Sequence, residues 1–257
     1  MFKLIFQNFV TIFLPSLLKV MILNLLGHSI SRKSKIGPVI LGASTKLKLH
    51  EGTFIGGFNL LSCSSVELKK DSFIRSFNTF QGVFTVKLDK HASIGNFNRI
   101  VNANCELEDL KSLFELGELS NLTSKHYFDM TTSITIGKNS VIGGIGSQFW
   151  THGFQHFNFG KERLRVDGAI TIGNGVYIGS SSLFNPGITI DDEVSIGAGT
   201  VIGKSLIEPA LYVSQPWRAI SVSKEAFEEK YAKVVTGKVT KYVNLLWLSV
   251  FLNLYII

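Results

Sequence analysis

The chain has 257 residues, 45% hydrophobic and 18% charged, with a formal net charge of +7. That length admits one solenoid domain with terminal extensions, or two domains. The two cysteines, Cys63 and Cys105, form no CxxC or zinc-type spacing, so reduced thiols and a cytoplasmic location are expected. Positive charge gathers at one end: Lys3, Lys19, Arg32, Lys33, Lys35, Lys46 and Lys48 precede the first acidic residue, Glu51. Such an end can face nucleic acid, anionic lipid or a phosphorylated ligand. The absence of any recognition-fold signature argues against nucleic acid.

Residues 2–26 are strongly apolar. Phe2, Ile5, Phe6, Phe9, Ile12 and Phe13 make one helical face, with Lys3, Gln7 and Thr11 on another. Pro15 and Lys19 interrupt the run, which argues against a simple membrane span, and no small-residue cleavage site follows it. Residues 1–35 are therefore expected to be a helical segment. It either caps or packs on the protein, or lies in a membrane interface on the inner face of the cell.

From Ile36 an apolar ruler with a period of six appears, with slips. Leu49, Ile55 and Leu61 share a register; Leu68, Ile74 and Phe80 resume it, then Leu88, Ile94 and Ile100. Residues 104–118 have the composition of a short helix but are expected to continue the strands. Ile136 and Ile142 restore the pattern. Between Gly146 and Gly168 it breaks into a long excursion, 147–168, and long loops in compact domains are usually functional.

The ruler is cleanest over Ile170–Gly203. Ile172, Ile178, Phe184, Ile190, Ile196 and Ile202 form one series, and Ile170, Val176, Ser182, Ile188, Val194 and Thr200 form another two residues earlier. Period six is neither strand alternation nor a helical stripe; it marks a hexapeptide β-solenoid, in which stacked coils share one core. Gly173, Gly179, Asn185, Asp191, Gly197 and Gly203 follow the first series directly and are expected to supply the positive φ of the corners. Past Gly203, residues 223–235 carry an amphipathic helical pattern with Phe227, Tyr231 and Val234 on one face. The apolar end, Tyr242–Ile257, is too short for a comfortable span. The expected domains are thus 1–35, the solenoid 36–220, and a helical extension 221–257.

A hexad array, an interrupting histidine-bearing loop and a closing Pro216-Trp217-Arg218 resemble the left-handed β-helix acyltransferases. Phe149–Ile220 is particularly similar to galactoside and maltose acetyltransferases and to O-acetyltransferases of bacterial surface polysaccharides. The resemblance implies an all-β fold, a left-handed parallel β-helix with short terminal helices. It also implies a homotrimer with active sites between subunits, acetyl-CoA as co-substrate and no metal. The reaction it implies is acetyl transfer to a sugar hydroxyl in capsule or O-antigen synthesis.

Residue by residue, His152 stands at the family's catalytic histidine, and imidazole suits a general base, since it ordinarily titrates near ~6.5. His126, with Asp129 as orienting carboxylate, is a second candidate for the same cleft. Tyr177 stands where the family often has Trp beside the acyl chain. Ser180 and Ala198, one coil apart, match pantetheine-contacting corners, Gly203 and Lys204 a turn near the coenzyme's phosphates, and Arg218 the contact to its nucleotide end. Trp150, His156 and Arg163 are candidates for acceptor binding, with Lys161 and Arg165 suited to an anionic, nucleotide- or lipid-linked saccharide. His156 equally suits a role in shaping the loop, and His28, His50 and His91 are expected at the surface. Three rivals remain: N-acetyl transfer to an amino sugar, a zinc enzyme of the γ-carbonic anhydrase type using His126, His152 and His156, and a non-catalytic scaffold.

Overall fold

The computed structural model describes residues 2–102, 112–156, 163–214, 231–236 and 239–244. The chain divides into two compact units, Met1–Ser214 and Gln215–Ile257. From Ser29 the described residues of the first unit wind into three parallel sheets of eight, nine and eight strands. The chain visits the sheets in turn, and each strand pairs with its equivalents one coil before and one coil after. The fold is the parallel β-helix of left-handed hexapeptide type.

The ruler is the core. Leu116, Ile136, Ile172 and Ile190 pair down the first sheet, and Leu122, Ile142, Ile178 and Ile196 down the second. All are buried. In the third sheet the Phe128, Phe149 and Phe184 rings stack at 4.5 Å between centroids, near-parallel at 4° and 7°. That spacing matches the roughly 4.7–4.9 Å between neighbouring strands, so one ring fills each coil, and each buried ring contributes up to about 3 kcal/mol. The second series, Ile170 through Thr200, is buried as well.

The corners differ from expectation. Positive φ falls not directly after the ruler residue but two positions further on, at Gly175, Ser181, Gly187, Glu193 and Gly199. The glycines at the earlier position serve coil stacking instead. A Cβ on Gly179 would lie 2.6 Å from the Ala198 backbone nitrogen, and one on Gly137 2.6 Å from the Gly173 carbonyl.

Most slips have one address, the exceptions being Ile36 to Leu41 and Ile142 to Phe149, which pass from the second sheet to the third. The extra residues between Leu61 and Leu68, Phe80 and Leu88, Ile100 and Leu116, and Phe149 and Ile172 all fall where the chain passes from the third sheet to the first. Ser112–Leu116 is a strand, as expected of 104–118; 103–111 lie outside the described residues. In the second unit, Tyr231–Thr236 and Val239–Asn244 form an antiparallel hairpin. The helix expected over 223–235 is therefore replaced by strand at Tyr231 and Val234, while Phe227 lies outside the described residues. The β-branched and aromatic content of YAKVVT suits a strand.

Helices α1 (Phe2–Phe13) and α2 (Ser16–Leu25) break at Pro15 and pack on the first coil. Among the described residues no helix is long and apolar enough to cross a membrane. Cys63 is a free, buried thiol, pushed up to about 12 by its burial.

Candidate active site

The site is built where the third sheet turns into the first. Tyr127–Asp129 and Gln148–Phe149 are stacked strands, with Tyr127 opposite Gln148 and Phe128 opposite Phe149. Inward packing of the two phenylalanines fixes the level at which each chain leaves the sheet. Asp129, Met130 and Thr131 follow in the lower coil, Thr151 and His152 in the upper. The upper chain does not turn directly into its next strand. His152–His156 pairs antiparallel with Arg163–Asp167, a hairpin arm whose foot is His152 opposite Asp167.

At that foot His152 Nδ1 lies 2.7 Å from Asp129 Oδ2 and 3.2 Å from Thr131 Oγ1. Asp129 is fully buried, and a buried carboxylate is stable only when its oxygens are hydrogen-bonded. The Thr151 amide donates to Oδ2 at 3.0 Å, and the Thr151 hydroxyl lies 2.9 Å from the same oxygen. Thr131 Oγ1 donates to Oδ1 at 3.0 Å. With its acceptor fixed, the imidazole carries its proton on Nδ1 and leaves the Nε2 lone pair free. Nε2 has no hydrogen bond among the described residues. Trp150 and Phe154 stand edge-on to the ring, with centroids 6.3 and 6.0 Å away. His152 keeps 20% of its side chain exposed.

Trp150 packs on Tyr127 at 4.9 Å and donates from Nε1 to Gln148 at 3.1 Å. His156 and Arg163 face each other further up the arm, four residues and so roughly 13 Å from His152 at about 3.4 Å per residue. The Arg163 guanidinium lies over the Phe154 ring at 5.2 Å, and Arg165 donates to Asp167 at 2.7 Å. Lys161 and Arg218 lie outside the described residues.

His126 is placed differently from expectation. It is 1% exposed; its Nδ1 accepts from the Ser147 amide at 3.1 Å, and its Nε2 lies 2.9 Å from Thr123 Oγ1. It is one rung of a buried polar ladder in which each side chain accepts the amide of the next coil. Asn59 takes Asn78, Asn78 takes Asn98, Asn98 takes His126, and Ser147 takes Ser182. Burial pushes His126 down to about 4, so it stays neutral and Nδ1 remains an acceptor. Asp129 is hydrogen-bonded to His152, and His126 instead to Thr123 and Ser147. His28 is also buried rather than at the surface: Nδ1 accepts from Leu47 N at 3.0 Å, and burial, then Lys46 and Lys3, push it down to about 4. With His126 in the ladder, the three-histidine zinc set does not assemble. Among the described residues no cluster of three or more potential metal ligands forms.

Ser180 and Ala198 occupy the same corner in successive coils: the Gly199 amide bonds to Ser180 O at 2.8 Å, and Ala198 lies against Gly179. Half-exposed Tyr177 lies over Gly143, where a Cβ would meet its hydroxyl at 3.0 Å. Gly203 and Lys204 follow the final third-sheet strand, Val201–Ile202. Tyr177, Ser180 and Ala198 thus form an edge where the second sheet meets the third, at the opposite end of the third sheet from His152, whereas Gly203 and Lys204 lie at the His152 corner, two coils on. That edge and His152 are up to roughly 20 Å apart for six extended residues.

Thr131 and Thr151 complete the cluster around Asp129 and carry no motif of their own. The ruler carries their signal: aligning Phe128 with Phe149 puts Asp129 under Trp150 and Thr131 under His152.

A parallel hexapeptide solenoid whose coil path is interrupted by a histidine-bearing arm defines a class, and likeness to known proteins agrees with it. Residues 169–204 match the family described as bacterial transferase hexapeptide (six repeats), so the chain is a left-handed β-helix carrying the hexapeptide repeat of the bacterial transferases. Over 101 residues it is 33% identical to the galactoside O-acetyltransferase of Escherichia coli (strain K12), covering 39% of this chain and 50% of that protein. The chain thus spans about half the length of this curated relative. Among solved structures, LpxA from Acinetobacter baumannii matches with 14% identity and a TM-score of 0.37, over 78% of this chain and 77% of that one. The UDP-N-acetylglucosamine O-acyltransferase (LpxA) of Moraxella catarrhalis RH4 matches with 16% identity and a TM-score of 0.36, over 75% and 76%.

Proposed function

We propose that the protein is an acetyl-CoA-dependent O-acetyltransferase acting on a sugar hydroxyl, with His152 as general base. The observation that carries this is the buried Asp129 carboxylate 2.7 Å from His152 Nδ1, on a solenoid with transferase repeats. The free Nε2 takes the proton of the acceptor hydroxyl as its oxygen attacks the thioester carbonyl. Collapse of the tetrahedral adduct breaks the C–S bond, and the imidazolium returns the proton to the departing sulfur, giving ester and free thiol. Asp129 holds the productive tautomer and stabilises the imidazolium.

Acetyl-CoA is a substrate here. Ser180 and Ala198 offer a narrow edge for the pantetheine arm beside Tyr177, and Lys204, at the His152 corner two coils on, offers a charge for phosphate. Base and coenzyme edge lie at opposite ends of one sheet, which supports a homotrimer in which His152 of one subunit faces the coenzyme edge of the next. Arg163 and Trp150 suit the acceptor, which we assign to capsule or O-antigen precursors on a nucleotide or lipid carrier. The test is acetyl-CoA turnover against a panel of saccharides, with His152→Ala as control. Turnover undiminished in His152→Ala sinks the assignment, as does failure to bind coenzyme A.

A further inference from the structure

Helix α1 is mounted with its polar side largely inward, and α2 buries its one charged residue beside Val20 and Leu23. On α1 the buried residues are Gln7, Val10 and Thr11. Thr11 donates to Val39 O at 2.7 Å, and Asn8 brackets Leu41 by accepting from its amide at 2.8 Å and donating to its carbonyl at 3.1 Å. The single charged residue of α2, Lys19, is 2% exposed and donates to Gly37 O at 2.9 Å and Ile36 O at 3.3 Å. These groups satisfy the open edge of the first coil, which would otherwise present unpaired backbone.

The consequence is an outward apolar face. Phe2 is 84% exposed, Phe13 69% and Leu17 61%, with Ile5, Phe9 and Met21 beside them. Sealing the coil edge explains the inward polar groups but not the outward phenylalanines. A contiguous exposed apolar face of this size marks an interaction surface.

Charge identifies the partner. Residues 1–50 contain no Asp or Glu. Lys33 and Lys48 are paired with Glu51 and Glu67, whereas Lys3, Arg32, Lys35 and Lys46 have no acidic partner among the described residues. A second copy docking cap to cap would bring these uncompensated cations together, whereas an anionic lipid surface would neutralise them. Neither helix is long enough to cross a bilayer, so the face lies in the interface. We propose that the α1–α2 cap binds the protein to an anionic membrane surface, with the phenylalanines among the acyl chains and the free lysines and arginine at the headgroups. This stands independently of the acyl-transfer assignment.

The test is flotation of the purified full chain with phosphatidylcholine vesicles, with and without about 30% phosphatidylglycerol. Expected is co-flotation with the anionic vesicles, weakened by salt, and a loss of binding of about tenfold or more in the Phe9→Ser, Phe13→Ser double variant. Lys3→Gln combined with Arg32→Gln and Lys35→Gln should abolish the preference for anionic lipid. Circular dichroism and sedimentation check that the exposed-site variants keep fold and mass. Absence of binding to either vesicle overturns the proposal, as does unaltered binding by the phenylalanine variant. So does a fall in oligomeric mass in a protein that binds no vesicles, which would make the face a contact between copies. Turnover of a water-soluble saccharide should be unchanged in both variants, separating failure here from failure of the enzymatic assignment.

Discussion

Asp129 is the residue on which the proposed chemistry turns, because it decides which imidazole nitrogen faces the acceptor. Asn at 129 can present an N–H to Nδ1, which favours the opposite tautomer and occupies the lone pair that should accept. We expect Asp129→Asn to lower kcat by roughly 10²–10⁴-fold with little change in the KM for acetyl-CoA, since the carboxylate is buried beneath the histidine. Steady-state kinetics on a sample whose melting point is checked reads this directly, and parent-like kcat would remove Asp129 from the mechanism. His126 and His28 make a different prediction. Both are pushed down to about 4 by burial, against 6.5 for an ordinary histidine. Between those values the unfolded chain binds protons that the folded chain refuses, so their contribution to stability is present above about pH 6.5 and is lost as pH falls towards 4. The melting temperature should fall across that window, and His126→Asn with His28→Asn should flatten the fall. An unaltered slope would show that other groups cause it. Activity per folded molecule in His126→Asn should stay near parent, because the ring lies in the ladder.

Elements are held here by backbone proximity between coils more than by local propensity. Gly137 shows it: a Cβ there would stand 2.6 Å from the Gly173 carbonyl, a backbone contact that no rotamer relieves. We expect Gly137→Ala to destabilise by about 2–4 kcal/mol, measured by denaturant unfolding; a cost below about 1 kcal/mol would mean that the stack yields easily. The same logic separates what the sequence revealed from what it hid. Apolar residues at period six announce coils because each coil must bury one large side chain per face, and Ile172 to Ile202 behave accordingly. The corner signal was legible but ambiguous, since glycine serves both positive φ and close approach, and only coordinates show that Gly175 does the first and Gly179 the second. The α1 pattern gave a helix with two faces, not which face turned inward, because that depends on the hydrogen-bonding needs of the coil edge. Asp129 was visible as a candidate, but its partner depends on which residues stack across coils.

At the scale of the whole molecule, one corner absorbs almost every irregularity. Inserted residues between third and first sheets cost the solenoid little, because they project outward and leave the shared core in register. This is where the His152 arm grows. The opposite end of the third sheet is regular in the coils that carry Ser180 and Ala198, where Ile178 to Phe184 and Ile196 to Ile202 keep the period. The solenoid of the first unit cannot bring its own two corners together, so the proposed acetyl transfer through both needs a neighbouring subunit, and mixing variants tests that proposal. His152→Ala subunits lack the base; Ala198→Trp subunits should block the coenzyme edge. Each variant alone should be nearly inactive. In randomly co-assembled oligomers of the proposed trimeric kind, a site would take its base from one subunit and its edge from the next. Equal mixing makes the combination of intact base and intact edge about one site in four, restoring about a quarter of parent activity. If base and edge instead serve the same site from one subunit, no mixture can contain an intact pair, and activity should stay at background at every mixing ratio. Refolding the variants together and assaying against the mixing ratio distinguishes a parabola peaking at equal mixing from a flat line.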